Sequence, residues 1–527
     1  MGVTVGIAVI LGGVFLLAPR MGSDLSAQVA RAEFFTNHGT SIIDFRWYGG
    51  INQFGYSLLS QPVMALLGVW VTGALALVAS AVAFAALLLR AGVPRPMAGS
   101  LVGVICITGN LVSGRVTYAL GVAFGLAALL ALTLPAGRGR AGLLRYGGAA
   151  AGALLASATS PVAGLFVGLA GAALLLSRRY LAGGVLGVAA AAPMAVTALL
   201  FGDGGWMNIS RTDTVRAIVA SLAVAALVSY RPVRVGALLS AAGVLLAALV
   251  HTPVGLNATR LGVMFALPLL AAAARLPAPL AARLPGPSAA WQPSPARAVE
   301  AVALVALLGG VCWAQPPVVT ADLRSIGAVS NDRGYYLPLV TELRQRPLAG
   351  RVEIPPTQNY WEATYLAEVP LARGWLRQAD IGRNPLFFET VPGATGTGIP
   401  LTVESYRDWL ADNAVQYVAV PDAKLSWVGR AEAQLIEAGL PYLTLIWSNP
   451  HWQLYAVADP VPIVAGPATL VEQTAAALTF EAPAAGPVPI RVRYSRWLTV
   501  DGGATLARDG EWTVVTTPGP GRYRLSS

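Results

Sequence analysis

Lysine is all but missing from the chain. Lys424 is the only one in 527 residues, and Asp, Glu, Lys and Arg together make up 12%, about half of what an ordinary soluble domain carries. Histidine occurs three times and cysteine twice. Two cysteines exclude a disulfide framework by number and a thiolate metal site by spacing. Cys106 and Cys312 both stand in apolar runs and read as buried hydrophobes. No P-loop, zinc-protease helix, nucleophile elbow or dinucleotide fingerprint occurs in a fitting context. No solenoid-length repeat is present, and no cluster of basic residues on a soluble segment marks a nucleic-acid surface.

What the chain has instead is apolar sequence, 55% hydrophobic residues with a mean hydropathy of +0.61. Repeated apolar runs of about 18 residues predict membrane helices. The expected spans are 2–19, 62–89, 97–114, 116–135, two within 141–177, 181–201, 214–229, 235–250, 261–274 and 298–314. The run 141–177 is divided because Thr159-Ser160-Pro161 interrupts it, and proline removes a backbone donor from a helix interior. The opening run has no basic residues before it and is expected to stay as the first helix.

Between Pro62 and Val299 the only acids are Asp203 and Asp213, whereas Arg90, Arg95, Arg138, Arg140, Arg145, Arg178, Arg179, Arg231, Arg234, Arg275, Arg283 and Arg297 fall in alternate loops. Positive loops remain cytoplasmic. The pattern predicts a multi-pass protein of the cytoplasmic membrane, amino terminus inside, with the section after 315 outside.

That external section alternates helical and strand patterns. YYLPLVTELRQR, VESYRDWLADN and SWVGRAEAQLIEAG read as helices, and RVEIPP, VQYVAVP, YLTLIW and WQLYAV as strands. The expected organisation is a polytopic α-helical membrane domain, 1–315, an extracytoplasmic α/β domain, 316–459, and a small β-rich module, 460–527.

One long polar interval, 20–61, separates the first two apolar runs and gathers Asp24, Glu33, Asp44, Arg20, Arg31, Arg46 and His38. Connections of that length in a compact protein are often functional. LSAQVARAEFF and the aromatic stretch from IIDFRWYGG to Tyr56 read as amphipathic pieces in the membrane interface. Asp24 stands at the mouth of the first helix, at the right depth to take a proton from an acceptor hydroxyl. Arginines at neighbouring helix mouths suit phosphate because the guanidinium binds its oxygens in a planar fork. Arg260 leads this group, with His251, Arg115, Arg46 and Arg211 beside it. Plainer roles compete: a helix cap for Asp24, an Asp44–Arg46 salt bridge, a snorkelling Arg260, and polar connection for Asp203 and Asp213. In the external section Trp361, Glu362, Arg373, Trp375, His451 and Trp452 mix aromatic and polar character, as a sugar-binding face does, although core packing explains the same mixture.

The layout of a membrane helix, a long external loop bearing Asp24 in GSDLSAQ, further helices and an external carboxyl-terminal domain resembles the GT-C superfamily of membrane glycosyltransferases. RVEIPPTQNYWEATYLAEVPLARGW and VESYRDWLADNAVQYVAVPDA are similar to external domains of actinobacterial membrane proteins of this layout. The resemblance implies a polyprenyl-phosphate sugar donor, a glycan or lipid acceptor, Asp24 as base, and Asp44 as a second acid. In the family the acidic pair is often adjacent, whereas here Asp24 and Asp44 stand well apart, which leaves a divalent cation open. A transporter or flippase, and a non-catalytic scaffold with a glycan-binding external domain, are the alternatives.

Overall fold

The computed structural model describes residues 1–135, 139–275 and 295–527, with the side chains of 295–300 outside the description. Arg138, Arg283 and the side chain of Arg297, which entered the charge pattern above, fall outside it. The first part is helical: α1 (Gly2–Leu17), α2 (Leu25–His38), α3 (Ser60–Leu67), α4 (Val69–Arg90), α5 (Pro96–Val112), α6 (Val116–Ala131), α7 (Arg140–Gly142), α8 (Gly148–Thr159), α9 (Pro161–Leu176), α10 (Tyr180–Phe201), α11 (Arg211–Leu227), α12 (Arg231–Leu249), α13 (Arg260–Ala273) and α14 (Pro295–Ala314). Four described spans are long and apolar enough to cross a bilayer: α4, α10, α12 and the run Gly255–Ala273 ending in α13. Five shorter apolar helices accompany them, among them α1, α5, α6 and α9. The protein is a multi-pass membrane protein.

Local chemistry explains the breaks. Ser160 accepts a hydrogen bond from the Ala163 amide and Pro161 opens α9, the ordinary combination of N-cap and first-turn proline. The predicted span 62–89 is instead two helices, because Gly68 lies at φ +84 between α3 and α4. Cys106 is buried as expected, whereas Cys312 is exposed on α14.

The second part begins with α15 (Thr320–Arg324), α16 (Arg333–Arg344), α17 (Glu362–Tyr365), α18 (Arg377–Arg383), α19 (Val403–Asp412) and α20 (Arg430–Glu437). Within the long loop β1 (Ile43–Asp44) pairs antiparallel with β2 (Ile51–Asn52). The four segments read as strands from sequence form one sheet. Its members are β3 (Arg351–Glu353), β4 (Val415–Pro421), β5 (Leu443–Ser448) and β6 (Trp452–Val457), in the order β3-β4-β6-β5, with β3 parallel to β4 and the other pairs antiparallel. After them β7 (Thr469–Gln473), β8 (Ala477–Ala482), β9 (Gly486–Arg493), β10 (Thr499–Val500), β11 (Thr505–Asp509), β12 (Trp512–Thr517) and β13 (Gly521–Ser526) make two sheets, β10-β13-β8-β7 and β11-β12-β9. Their inner faces, including Phe480, Ile490, Val515 and Leu525, share one apolar core.

The apolar faces of the long loop, which the amphipathic pattern assigns to the membrane interface, are covered by protein. The loop is wedged between the helices and everything that follows. Trp47 and Tyr48 are each 1% exposed, with Trp47 Nε1 donating to the Ala363 carbonyl at 3.1 Å and Tyr48 Oη to the Gly374 carbonyl at 2.6 Å. One core runs from Leu77 and Leu111 of the helices through Leu25 and Trp47 into Tyr336, Trp361 and Trp452. Ile43 and Phe45 plug the core of the terminal β-module. Amphipathicity shows that a face is covered, but not whether lipid or protein covers it.

The start of the loop meets the α5–α6 turn at van der Waals limits. A Cβ on Gly22 (φ +89) would collide with the backbone of Val112, Ser113 and Gly114, and one on Gly114 (φ +75) with the backbone of Leu25. Gly114→Ala is therefore expected to destabilise the protein by about 1–3 kcal/mol. Gly13→Ala, where the new methyl meets nothing, serves as reference. Thermal unfolding in detergent checks this; equal melting temperatures for the two variants would refute the close approach.

Candidate active site

Asp24 ends the turn that Gly22 makes possible. Its amide donates to the Ser113 carbonyl at 3.1 Å, which ties the loop to the α5–α6 turn. Although it occupies the N-cap position of α2, its carboxylate makes no capping bond. That carboxylate turns toward two arginines. Oδ2 accepts from Arg115 Nε and from Arg260 Nη2, both at 3.3 Å. Arg115 is held by the same turn that Asp24 touches, and Arg260 opens α13 behind the short 3-10 stretch Gly255–Thr259. Three polar residues far apart in sequence, Asp24, Arg115 and Arg260, thus converge at one end of the helical bundle.

A fourth residue, unforeseen in the sequence, fastens this corner. Asp322 on α15 is buried and accepts from Ser113 Oγ at 2.6 Å and from the Ser23 amide at 3.2 Å. It bridges the Asp24 turn to the Arg115 turn. Burial raises its carboxyl above the usual range; the Ser113 hydrogen bond and Arg115 oppose that, and the Asp24 charge adds to it. Nothing in TADLR separates a clamp from a solvated helix residue; only a pattern linking it to Ser113 would have done so.

The donors outnumber the acceptors here. Each guanidinium carries five N–H groups, and Asp24 engages one from each arginine. Arg260 lies over the Tyr118 ring at 5.3 Å, and the Tyr118 hydroxyl is buried with no hydrogen-bond partner among the described residues. Buried donors are ordinarily paired. Asp24 Oδ1 is not engaged by the described residues either, and it is not among the side-chain oxygens sealed inside the protein. An anion with several oxygens would satisfy the spare guanidinium and tyrosine donors, whereas Oδ1, an acceptor, would take a hydroxyl proton. A metal ion would not fit here. Two guanidiniums already share Asp24 Oδ2, and among the described residues no group of three or more His, Cys, Asp or Glu side chains could hold a metal.

The remaining residues singled out from the sequence lie elsewhere. Asp44 and Arg46 are both buried and clasp each other, Arg46 Nε to Oδ1 at 3.0 Å and Nη2 to Oδ2 at 2.7 Å. Neither shares a contact with Asp24, so the salt-bridge reading fits the pair, not a second acid and a phosphate ligand. His251 stacks on Trp206 at 4.0 Å, and Arg211 is exposed where α11 begins.

The proposed sugar-binding face does not form. Trp361 is fully buried, stacked on Tyr365 at 4.8 Å, and Trp452 is 1% exposed with Nε1 donating to the Tyr335 carbonyl. Arg373 is buried among Asp380 (2.8 Å), Glu432 (3.1 Å) and Glu353 (3.6 Å). Glu362 accepts from Thr357 Oγ1 at 2.5 Å inside the fold. His451 is exposed but pairs with Asp422 at 3.1 Å. A sugar platform needs an open ring face, and these rings are spent on packing. Trp375 alone approaches the Asp24 corner, donating to the Ser23 carbonyl at 2.8 Å and meeting Tyr56 edge-on at 5.6 Å.

No family model matches the chain, and no curated relative matches it. Solved structures do. The chain is similar to the arabinofuranosyltransferase AftD from Mycobacteria at 15% identity and a TM-score of 0.42, over 92% of this chain and 41% of that one. It is similar to ArnT from Cupriavidus metallidurans bound to undecaprenyl phosphate at 14% identity and a TM-score of 0.44, over 88% of this chain and 98% of that one. The chain thus spans less than half of that arabinofuranosyltransferase chain. Overlap at this level assigns no role to any residue here.

The buried carboxyls predict a pH dependence. Burial is the main cause that raises Glu362 from 4.5 to about 7, against the Thr357 hydrogen bond; it also raises Glu353, beside the Glu432 charge, well above the carboxylate range. A carboxyl with a raised folded value stabilises fully below its unfolded value, and that contribution is lost as pH rises through the folded one. Unfolding of the wild type should therefore move to lower temperature between about pH 4.5 and 7, and Glu362→Gln should flatten part of that slope. Identical slopes for the two proteins would show that Glu362 carries no proton in the fold.

Proposed function

We propose that the protein is a GT-C-type membrane glycosyltransferase. It moves a sugar from a polyprenyl-phosphate donor to a glycan or lipid acceptor on the outer side of the cytoplasmic membrane, with its amino terminus inside and residues 316–527 outside. The observation that carries this is the convergence of one carboxylate, two partly free guanidiniums and an unpaired tyrosine hydroxyl at the end of apolar helices.

In this reading Arg115 and Arg260 hold the phosphate of the lipid donor, and the Tyr118 hydroxyl adds a third donor. Asp24 Oδ1 takes the proton of the acceptor hydroxyl. The hydroxyl oxygen attacks the anomeric carbon while the bond from that carbon to the phosphate oxygen breaks, and the electron pair leaves with the phosphate. Charge that builds on the departing oxygen falls among donors that are already in place. Attack opposite the leaving phosphate inverts the anomeric centre. Asp322 keeps the two turns in register and touches no substrate. The helices bring their charges to one end of the bundle, where a carrier would place ionisable groups at mid-depth.

Two substitutions separate the roles. Asp24→Asn should lower transfer by about 100- to 10,000-fold while lipid-phosphate binding persists. Arg260→Ala should weaken binding of undecaprenyl phosphate by about 10- to 100-fold, read by native mass spectrometry. Full transfer by Asp24→Asn would remove the base, and a wild type that binds no lipid phosphate would remove the donor site.

A further inference from the structure

The terminal β-module touches the candidate membrane span α10. The turn between β9 and β10 reaches the last residues of α10, where Trp497 Nε1 donates to the Leu200 carbonyl at 2.8 Å and Arg496 Nη2 to the Leu199 carbonyl at 3.3 Å. These carbonyls belong to the four that a helix end leaves without partners, so the turn caps α10. Trp497 also stacks on Phe201 at 5.4 Å, and Phe201 packs on Phe54 of the long loop at 5.6 Å.

The position of this contact is set by α10 itself. The helix is one of the candidate spans, and its side chains are turned outward, with Leu199 71% and Val188 74% exposed. Trp497 and Arg496 cap the last residues of that candidate span, the end at which an apolar helix of this length leaves the hydrocarbon. Tyr494 is 39% exposed beside them, and Arg496 is exposed with most of its five donors uncommitted. Tryptophan and tyrosine concentrate at that level of a bilayer, and an exposed arginine there meets lipid phosphates.

We propose that the 494–497 turn is a membrane-surface anchor, with Tyr494 and Trp497 at headgroup depth and Arg496 on the phosphate of an anionic phospholipid. The occupant is the bilayer, because the turn continues the outward apolar face of α10. The anchor fixes the β-module against the membrane, and through Ile43 and Phe45, which plug its core, it steadies the loop that carries Asp24.

The test places p-benzoylphenylalanine at Tyr494 in the full chain, reconstituted in nanodiscs of phosphatidylglycerol and phosphatidylcholine, with the same residue at Leu199 as the lipid-facing reference. Illumination should yield phospholipid adducts at both positions. In the Tyr494-labelled protein, Arg496→Gln should lower the ratio of phosphatidylglycerol to phosphatidylcholine adducts by about 5-fold, the worth of one basic residue at an anionic surface. Adducts at Leu199 with none at Tyr494 would overturn the anchor, and an unchanged ratio would overturn the headgroup contact of Arg496.

Discussion

The carboxylate of Asp24 lies 3.3 Å from both Arg115 and Arg260, and much of the architecture serves to keep it there. Two glycines let the Asp24 turn and the Arg115 turn approach at backbone distance. Asp322 binds both turns at once. Arg260 comes from a helix late in the chain, so the contact also pins α13 to the first loop. An ion pair of this kind gains more than a surface pair, because its partners are half-shielded from water. It leaves guanidinium donors free, which a purely structural bridge would not require.

The long loop is the second constraint. It hydrogen-bonds to the section after residue 315 through Trp47, Tyr48 and Ser26, and it fills part of the β-module core through Ile43 and Phe45. That section is thus seated on the loop as well as on the helices. Burying side chains as large as Trp47 contributes about 1.5–3 kcal/mol each, enough to make the loop a rigid spacer. A carboxylate on a rigid spacer keeps its position relative to Arg115 and Arg260.

Inside the section after residue 315 the aromatic and charged residues have structural work. Arg373 neutralises a buried group of carboxyls, and Trp361, Tyr365, Tyr336 and Trp452 pack on one another. The raised carboxyls there follow from burial beside like charge, a consequence of folding three acids around one arginine.

Much of the secondary structure was legible in the chain itself. Apolar runs, the Ser160-Pro161 break and the four short β-rich segments are local signals, because hydrogen bonding along a helix and side-chain alternation along a strand depend on near neighbours. Asp24, Arg115 and Arg260 each drew attention by standing at the edge of an apolar run. Their convergence did not show, nor did Asp322 or the unpaired Tyr118 hydroxyl, because those contacts join residues roughly 90 to 300 positions apart. The pairing of Asp44 with Arg46 and the burial of Trp361 and Trp452 were equally hidden. Composition tells that a side chain is polar or aromatic, but whether it meets substrate, lipid or protein is decided only when distant segments pack, because that packing alone determines which groups lose water and which keep it.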